Sequence, residues 1–249
     1  MPTRKPHSPD QSPSESQLEQ WNLELEQRPS RQRLEWASDQ FRTNIIATSS
    51  FGIHSAVTLH LVAQNLPQIP IILIDTGYLF AETYRYTRQL TELLNLNVNC
   101  YTPTITPAQQ EALYGRLWEQ GADELEQYLE NNKLEPMRRA LETLKPQIWI
   151  SGLRRNQSDS RSERQVLERQ GELLKLYPII DWSDEQVNAY IDEHHLPRHP
   201  LEADGYVSTG DWHSTTKLGS GMRPQDTRFG GLRRECGLHD NGKWKANKL

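Results

Sequence analysis

A seven-residue segment near the end of the chain, residues 233–239, carries the residue types best suited to nucleophilic chemistry. Its sequence is Arg-Arg-Glu-Cys-Gly-Leu-His, and Cys236 is the candidate nucleophile. A thiol attacks as its thiolate, and neighbouring cations favour that form. Arg233, Arg234 and a protonated His239 would supply the charge. The alternative is a surface cysteine in a basic tail, because a single cysteine is a weak signal.

A short loop of small residues lies between a predicted strand and a predicted helix. Such a loop allows backbone N–H groups and the helix N-terminus to contact an anion. The alternative is an ordinary strand–helix turn, because short Gly/Ser motifs are common. The loop consists of Ser49, Ser50, Phe51 and Gly52.

A second polar turn follows the next apolar run and consists of Asp75, Thr76 and Gly77. The carboxylate of Asp75 would accept hydrogen bonds from a ribose or from the edge of a base. The alternative is that Asp75 or Thr76 caps the following helix.

Arginines cluster after a further predicted strand, at Arg154, Arg155 and Arg161. Guanidinium groups bind phosphate or sulfate oxygens through two parallel hydrogen bonds, although a solvated charge run is the alternative. The chain as a whole has a formal net charge of −5. Local arginine clusters in an acidic chain favour a small, multiply anionic substrate over nucleic acid.

The cysteine content limits the cofactors that the chain would hold. Cys100 and Cys236 are its two cysteines among 249 residues. We therefore expect no disulfide framework, a cytoplasmic location, and no zinc or iron–sulfur site built from thiolates. Cys100 falls on a predicted strand, and we expect it to be a buried core thiol. The spacing of His194, His195 and His199 lacks a metal-site pattern.

Composition also excludes several classes of protein. No run approaches the ~20 apolar residues of a membrane span. The N-terminus is rich in Pro and Ser without an apolar core, so we expect no secretory signal. The expected organisation is a disordered tail over residues 1–16, a single α/β domain over 17–239, and a polar tail over 240–249.

Predicted strands and helices alternate along the chain. This alternation indicates an α/β fold with a doubly wound, mainly parallel sheet, in which ligands bind beyond the carboxyl ends of the strands. The predicted strands are 45–48, 71–74, 97–101, 148–150 and 174–180. The predicted helices are 17–27, 31–41, one from about 55, 80–94, 107–144 with interruptions at Gly115, Gly121 and Pro136, and one to about 194 that Ser183 caps.

Taken together, eight segments resemble the phosphoadenylyl-sulfate reductases of assimilatory sulfate reduction. The resemblance extends from about residue 44 to residue 239. The matching segments are Ser49-Ser50-Phe51-Gly52-Ile53, residues 75–80 with Glu82-Thr83-Tyr84, residues 114–119, Glu135-Pro136-Met137, Gly152-Leu153-Arg154-Arg155, residues 177–182, Gly210-Asp211 with His213, and Glu235-Cys236-Gly237-Leu238-His239.

The resemblance implies an adenine-nucleotide alpha-hydrolase-like fold, a homodimer, and Cys236 as the nucleophile. Cys236 would attack 3′-phosphoadenylyl sulfate and carry an S-sulfonate, which thioredoxin or glutaredoxin would release as sulfite. His239 and Tyr206 are the other expected catalytic residues, and a C-terminal arm would carry Cys236. The 49–52 loop, the 75–77 turn and Arg154, Arg155, Arg161, Arg233 and Arg234 would bind the substrate.

Two segments differ from the motifs of related families, and these differences disfavour other functions. ATP-splitting relatives carry a Ser-Gly-Gly-x-Asp-Ser loop, whereas residues 49–55 lack its Gly-Gly pair and its acidic residue, which disfavours an adenylyl transferase. Adenylyl-sulfate reductases with a four-iron cluster carry two Cys pairs, and residues 211–214 fill the place of one pair. A cluster-free adenylyl-sulfate reductase and a non-catalytic nucleotide-binding protein remain alternatives.

Overall fold

A six-stranded sheet forms the centre of the protein. The structure, a computed structural model, describes residues 13–229. The strand order is β3-β2-β1-β4-β6-β5, and every neighbouring pair is parallel except β5 with β6. The predicted doubly wound, mainly parallel sheet is therefore confirmed. The strands are β1 (Ile45–Thr48), β2 (Pro70–Ile74), β3 (Asn97–Tyr101), β4 (Ile148–Ser151), β5 (Leu167–Gln170) and β6 (Leu173–Leu176).

Helices cover both faces of this sheet. The central strands are apolar on both sides, so that Ile45 and Ala47 of β1 enter one hydrophobic cluster and Ile46 enters the other. This is the pattern expected of buried parallel strands. The helices are α1 (Glu15–Glu26), α2 (Ser30–Phe41), α3 (Ser55–Asn65), α4 (Ala81–Leu94), α5 (Pro107–Tyr114), α6 (Ala122–Leu129), α7 (Glu135–Leu144), α8 (Asp184–Glu193) and α9 (Pro200–Ala203).

Local sequence signals account for several helix boundaries. Ser183 caps α8, and its hydroxyl accepts from the N–H of Gln186 while the Gln186 side chain returns the bond, as predicted. Thr106 caps α5 ahead of Pro107. Over residues 13–229, none of the helices is both long and apolar enough to cross a membrane.

The bounds of one predicted strand are wrong. The strand expected over 174–180 ends at residue 176, and an antiparallel partner, β5, precedes it across a turn at Gly171. The interruption predicted at Pro136 takes the form of a π-helical segment, Glu130–Leu134, which leads directly into α7 one residue before the proline. Proline has no N–H for the i→i−4 hydrogen bond of a continuous α-helix.

Cys100 is exposed rather than a buried core thiol, because β3 is an edge strand of the sheet. Protein nevertheless surrounds part of its sulfur. This burial and the nearby Asp75 carboxylate raise the pKa of the thiol. The side chain is therefore reachable from solvent but favours its protonated, less reactive form.

The helices α1 and α2 are fixed to the sheet by polar contacts at two points. Arg33 is 1% exposed, and it donates to the carbonyl oxygens of Leu25 and Pro178 and to both carboxylate oxygens of Asp181 at 2.7 and 2.9 Å. The side chain of Asn22 exchanges two hydrogen bonds with the backbone of Leu167, and so pairs with the outer edge of β5.

Replacing Arg33 should therefore lower the free energy of unfolding. Arg33→Met removes the side-chain donor to the carbonyl oxygens of Leu25 and Pro178 and the partner of Asp181, which is itself 44% exposed, and we expect a loss of about 1.5–3 kcal/mol. Urea unfolding measures it. Arg31→Met is the control, because Arg31 is exposed and its ion pair within residues 13–229 is with Glu35, so that its loss should cost about 0.5 kcal/mol or less. Equal unfolding midpoints for the two variants would contradict this account.

Candidate functional site

The three predicted binding segments lie at the same edge of the sheet. The 49–52 loop follows β1, the 75–77 turn follows β2, and residues 152–155 follow β4. Because β1 lies between β2 and β4 and all three are parallel, their carboxyl ends are neighbours. The structure thus places these segments where ligands bind in open α/β sheets.

The 49–52 loop is held by one buried aromatic side chain. Phe51 is fully buried, has a left-handed backbone with φ of 49°, and donates its N–H to the hydroxyl of Ser49 at 3.0 Å. Gly52 lies so close to Thr209 that an added Cβ would stand 3.2 Å from its hydroxyl. Ser50 is exposed. The loop is therefore a shaped turn with small polar residues on its outer side.

The 75–77 turn is organised by the Asp75 carboxylate. Its Oδ1 accepts from the N–H of Gly77 at 2.8 Å and from the hydroxyl of Tyr84 at 2.7 Å. The alternative that Asp75 or Thr76 caps α4 is wrong, because the N-cap residue is Phe80 and its side chain makes no capping bond. Gly77 has a φ of 77°, and a Cβ there would collide with Pro107. These contacts fix the turn against α4 and α5.

The predicted pair of arginines, Arg154 and Arg155, is bound by other parts of the protein. Arg154 is 1% exposed and donates to Asp184 at 2.8 Å and to Nδ1 of His54 at 3.0 Å. Arg155 binds both carboxylate oxygens of Glu26 at 2.6 and 3.0 Å. The solvated-run alternative is therefore wrong for this pair. In this structure Arg154 connects the end of β4 to α8, and Arg155 connects it to α1.

The third predicted arginine, Arg161, lies on a short 3-10 turn beyond β4 and donates to the side chain of Gln157. The predicted catalytic residue Tyr206 is partly buried, and its ring meets that of Phe80 edge-on at 5.4 Å. The ammonium of Lys217 lies 5.6 Å from the centre of the Tyr206 ring. Tyr206 thus stands beside the chain that follows the 75–77 turn.

A buried carboxylate, that of Asp211, connects three distant segments at this edge. It is 0% exposed and accepts from the hydroxyl of Thr76 at 2.6 Å, from the hydroxyl of Tyr128 at 3.0 Å and from the ammonium of Lys133 at 2.7 Å. Burial alone would raise the pKa of Asp211, but the charge and hydrogen bond of Lys133 and the Thr76 bond outweigh it and lower that pKa to about 2. Asp211 is therefore ionised at neutral pH.

The ammonium of Lys133 is also nearly buried, with 9% of its side chain exposed. An ammonium has three donors, and the described residues accept one of them, through Asp211. Sequence reasoning missed this residue because it lies within a stretch that reads as continuous helix, where a lysine is ordinarily a solvated surface group.

Sequence reasoning also missed Arg228. A Cβ on Gly210 would collide with its guanidinium, and Gly210 adjoins Thr209, the residue that touches Gly52. The guanidinium therefore lies against the segment that contacts the 49–52 loop. Its Nε is buried without a hydrogen-bond partner, and no carboxylate within residues 13–229 pairs with it. The only signal in the sequence is a single arginine in a stretch without periodicity.

The predicted nucleophile and its neighbours fall outside the described residues. These are Cys236, His239, Arg233 and Arg234. The last described residue, Phe229, is buried in a cluster with Tyr78, Leu117 and Tyr128, beside Asp211. Among residues 13–229, no three His, Cys, Asp or Glu side chains are grouped so that they would hold a metal ion.

This fold, with small and cationic groups at the carboxyl ends of parallel strands, defines an adenine-nucleotide alpha-hydrolase-like protein. A solved structure of an FMN adenylyltransferase from Candida glabrata, 10% identical, shares the fold with a TM-score of 0.56, covering 87% of this chain and 74% of that one. A family model described as "Phosphoadenosine phosphosulfate reductase domain" matches residues 44–217. The chain belongs to this family.

Two curated relatives are each named phosphoadenosine 5′-phosphosulfate reductase. The protein from Alkalilimnicola ehrlichii is 50% identical over 224 residues, which cover 90% of this chain and 91% of the relative. The protein from Zymomonas mobilis is 50% identical over 226 residues, covering 91% and 93%. A crystal structure of phosphoadenylyl-sulfate reductase from Candida auris, a phosphate complex, is 29% identical, with a TM-score of 0.74 over 83% of this chain and 99% of that one.

Proposed function

We propose that this protein reduces 3′-phosphoadenylyl sulfate to sulfite and adenosine 3′,5′-bisphosphate, with Cys236 as nucleophile and thioredoxin as reductant. The observation that carries the proposal is membership of the reductase family over about nine-tenths of the chain. The sequence of residues 235–239, Glu-Cys-Gly-Leu-His, supplies the thiol that such a reaction requires. Sulfite formation serves the assimilation of sulfate toward sulfide and cysteine.

The first step is transfer of the sulfonate group. The Cys236 thiolate attacks the sulfonate sulfur, a bond forms between the two sulfur atoms, and the bond from that sulfur to the bridging phosphate oxygen breaks. Adenosine 3′,5′-bisphosphate leaves with the electron pair of the broken bond. Cys236 then carries an S-sulfonate.

The second step needs an outside dithiol. A thioredoxin thiolate attacks the sulfur of Cys236, sulfite leaves with the electron pair of the sulfur–sulfur bond, and a mixed disulfide forms. The second thioredoxin thiol then displaces the Cys236 thiolate. Two thiols are oxidised to one disulfide while the sulfonate sulfur is reduced to sulfite. Glutaredoxin would supply the same chemistry, and no bound cofactor or iron–sulfur cluster takes part.

The cations at the strand ends would hold the anionic groups of the nucleotide. In this proposal the 49–52 loop and the N-terminus of α3 would bind its phosphates, and Asp75 would bind its ribose or base. Among the described residues at this edge, Lys133 and Arg228 keep N–H groups that no other side chain accepts. Arg161, Arg233, Arg234 and, after release from their carboxylate partners, Arg154 and Arg155 are the remaining candidates for reading the 3′-phosphate.

Cys100 has a thiol whose pKa burial raises, which makes it a poor internal resolving group. His239 and Tyr206 complete the proposed catalytic set around Cys236. We place the enzyme in the cytoplasm as a homodimer, with no nucleic-acid or membrane partner.

Arg228→Ala should weaken binding of adenosine 3′,5′-bisphosphate about ten- to a hundred-fold, which corresponds to about 1.5–3 kcal/mol for a charge-assisted contact. Calorimetric titration measures it. Arg223→Ala is the matched control, because that arginine lies on the same segment but is exposed and paired with Asp226. If Arg228→Ala binds like wild type, Arg228 does not contact the nucleotide.

Thioredoxin that lacks its second active-site cysteine should become trapped on Cys236 after the protein has been treated with 3′-phosphoadenylyl sulfate. The trapped disulfide cannot be resolved, so non-reducing gels and peptide mapping will detect it. Cys100→Ser should trap thioredoxin equally well, whereas Cys236→Ser should not. A competent Cys100–Cys236 disulfide during turnover would refute the proposed second step.

A further inference from the structure

The imidazole of His213 is held rigidly beside the buried Asp211 carboxylate. Its ring stacks on Trp118 with centroids 3.8 Å apart and planes 12° from parallel. The rings of Tyr78 and Tyr128 meet it edge-on at 5.3 and 5.1 Å. Aromatic rings therefore fix the plane of the imidazole on several sides.

A chain of hydrogen bonds determines which nitrogen of His213 carries the proton. The ionised Asp211 carboxylate accepts only, so the single hydroxyl proton of Tyr128 points to Asp211. The Tyr128 oxygen, 3.1 Å from Nε2 of His213, must then accept from that nitrogen. His213 is thus held as the Nε2–H tautomer, with the lone pair on Nδ1.

His213 is also neutral at physiological pH. Burial, opposed by the Asp211 carboxylate and reinforced by the cations of Lys133 and Arg228, lowers its pKa to about 4. Glu119 is the remaining charged group that acts on it, and acts to raise that pKa. The ring therefore offers a hydrogen-bond acceptor, not a second donor.

The Nδ1 atom itself is buried and has no hydrogen-bond partner. Buried polar atoms are nearly always paired, so an unpaired acceptor calls for a donor that the described residues do not supply. Two other buried polar atoms without partners lie on the same segment, the hydroxyl of Thr209 and Nε of Arg228. All three are near the strand ends, where Thr209 touches the 49–52 loop and Asp211 binds Thr76.

We propose that Nδ1 of His213 accepts a hydrogen bond from a neutral donor during the reaction, and that Asp211 and Tyr128 are positioning residues that keep this nitrogen unprotonated. The proposed function supplies two such donors. One is a hydroxyl or amino group of the nucleotide, and the other is the Cys236 thiol before it loses its proton.

Three variants separate the acceptor role from simple packing. His213→Ala removes the ring, His213→Asn restores an amide oxygen near the position of Nδ1, and His213→Gln extends an amide toward the position of Nε2. We expect the Ala and Gln variants to lose about three- to tenfold in the affected step, as for one neutral hydrogen bond, and the Asn variant to recover most of that loss. Thermal unfolding checks that all three fold.

Two measurements identify the donor. If the donor is on the nucleotide, the loss appears in the affinity for adenosine 3′,5′-bisphosphate. If the donor is the Cys236 thiol, affinity is unchanged and the loss appears in the single-turnover rate of S-sulfonate formation at saturating 3′-phosphoadenylyl sulfate. The proposal is overturned if the Asn and Gln variants behave alike in both measurements, or if Gln outperforms Asn.

A spectroscopic measurement is independent of turnover. Nitrogen-15 NMR at pH 7 should show wild-type His213 as the Nε2–H tautomer, and Tyr128→Phe should relax that preference. A wild-type ring protonated on Nδ1 would overturn the proposal. The binding and NMR measurements need no sulfonate transfer, so they test the tautomer of His213 and its contact with the nucleotide even if the wild-type protein fails to reduce the substrate, a result that would refute only the proposed function.

Discussion

The buried carboxylate of Asp211 is the contact on which the geometry of the site depends. It joins Thr76 after β2, Tyr128 and Lys133 between α5 and α7, and the loop that leads to the C-terminal segment. A buried ion pair contributes little net stability, because desolvation offsets the attraction. Removing either partner alone, however, strands a charge in a water-poor site. The main effect of the Asp211–Lys133 pair is therefore to hold the segments that it joins in fixed positions.

A second constraint comes from the parallel sheet. Pairing of β1 with β2 and β4 brings three loops from distant parts of the sequence to one edge. Arg154 and Arg155 then fasten this edge to α8 and α1. Two other cations at the same edge, Lys133 and Arg228, keep N–H groups that no described side chain accepts. In the structure as described, the basic residues that brace this edge therefore differ from those whose donors are available to an anion, a distinction that the sequence alone does not make.

The sheet was largely predictable because β1, β2 and β4 are short apolar runs followed by small or polar residues. The strand β5 was missed because its charged residues, Glu168 and Arg169, hide the pattern of an edge strand. Cys100 was misplaced because periodicity identifies a strand but not its position in the sheet. The loops at the strand ends followed from topology, whereas their partners depend on side-chain contacts between distant residues, such as Thr76 with Asp211, 135 residues apart, and Arg155 with Glu26, 129 residues apart, which no local pattern encodes.

The hydrogen bonds and ion pair of Asp211 could not be predicted from local sequence either. Each of its members has an ordinary local interpretation, a helix residue or a loop residue, and only the tertiary contacts reveal a buried carboxylate with three donors. The resemblance drew attention to Asp211 and His213 as matching residues but carried no statement of what they contact. Their hydrogen bonds and the protonation state of the ring required the structure.

In the proposed mechanism, sulfonate is transferred to Cys236 before any reductant acts. Intact-mass measurement of the protein after addition of 3′-phosphoadenylyl sulfate without thioredoxin tests it most directly. We expect the mass of one added sulfonate group per chain, mapped to Cys236 and accompanied by an equal amount of adenosine 3′,5′-bisphosphate. An unmodified protein that has bound nucleotide, or a sulfonate mapped to Cys100, would contradict it.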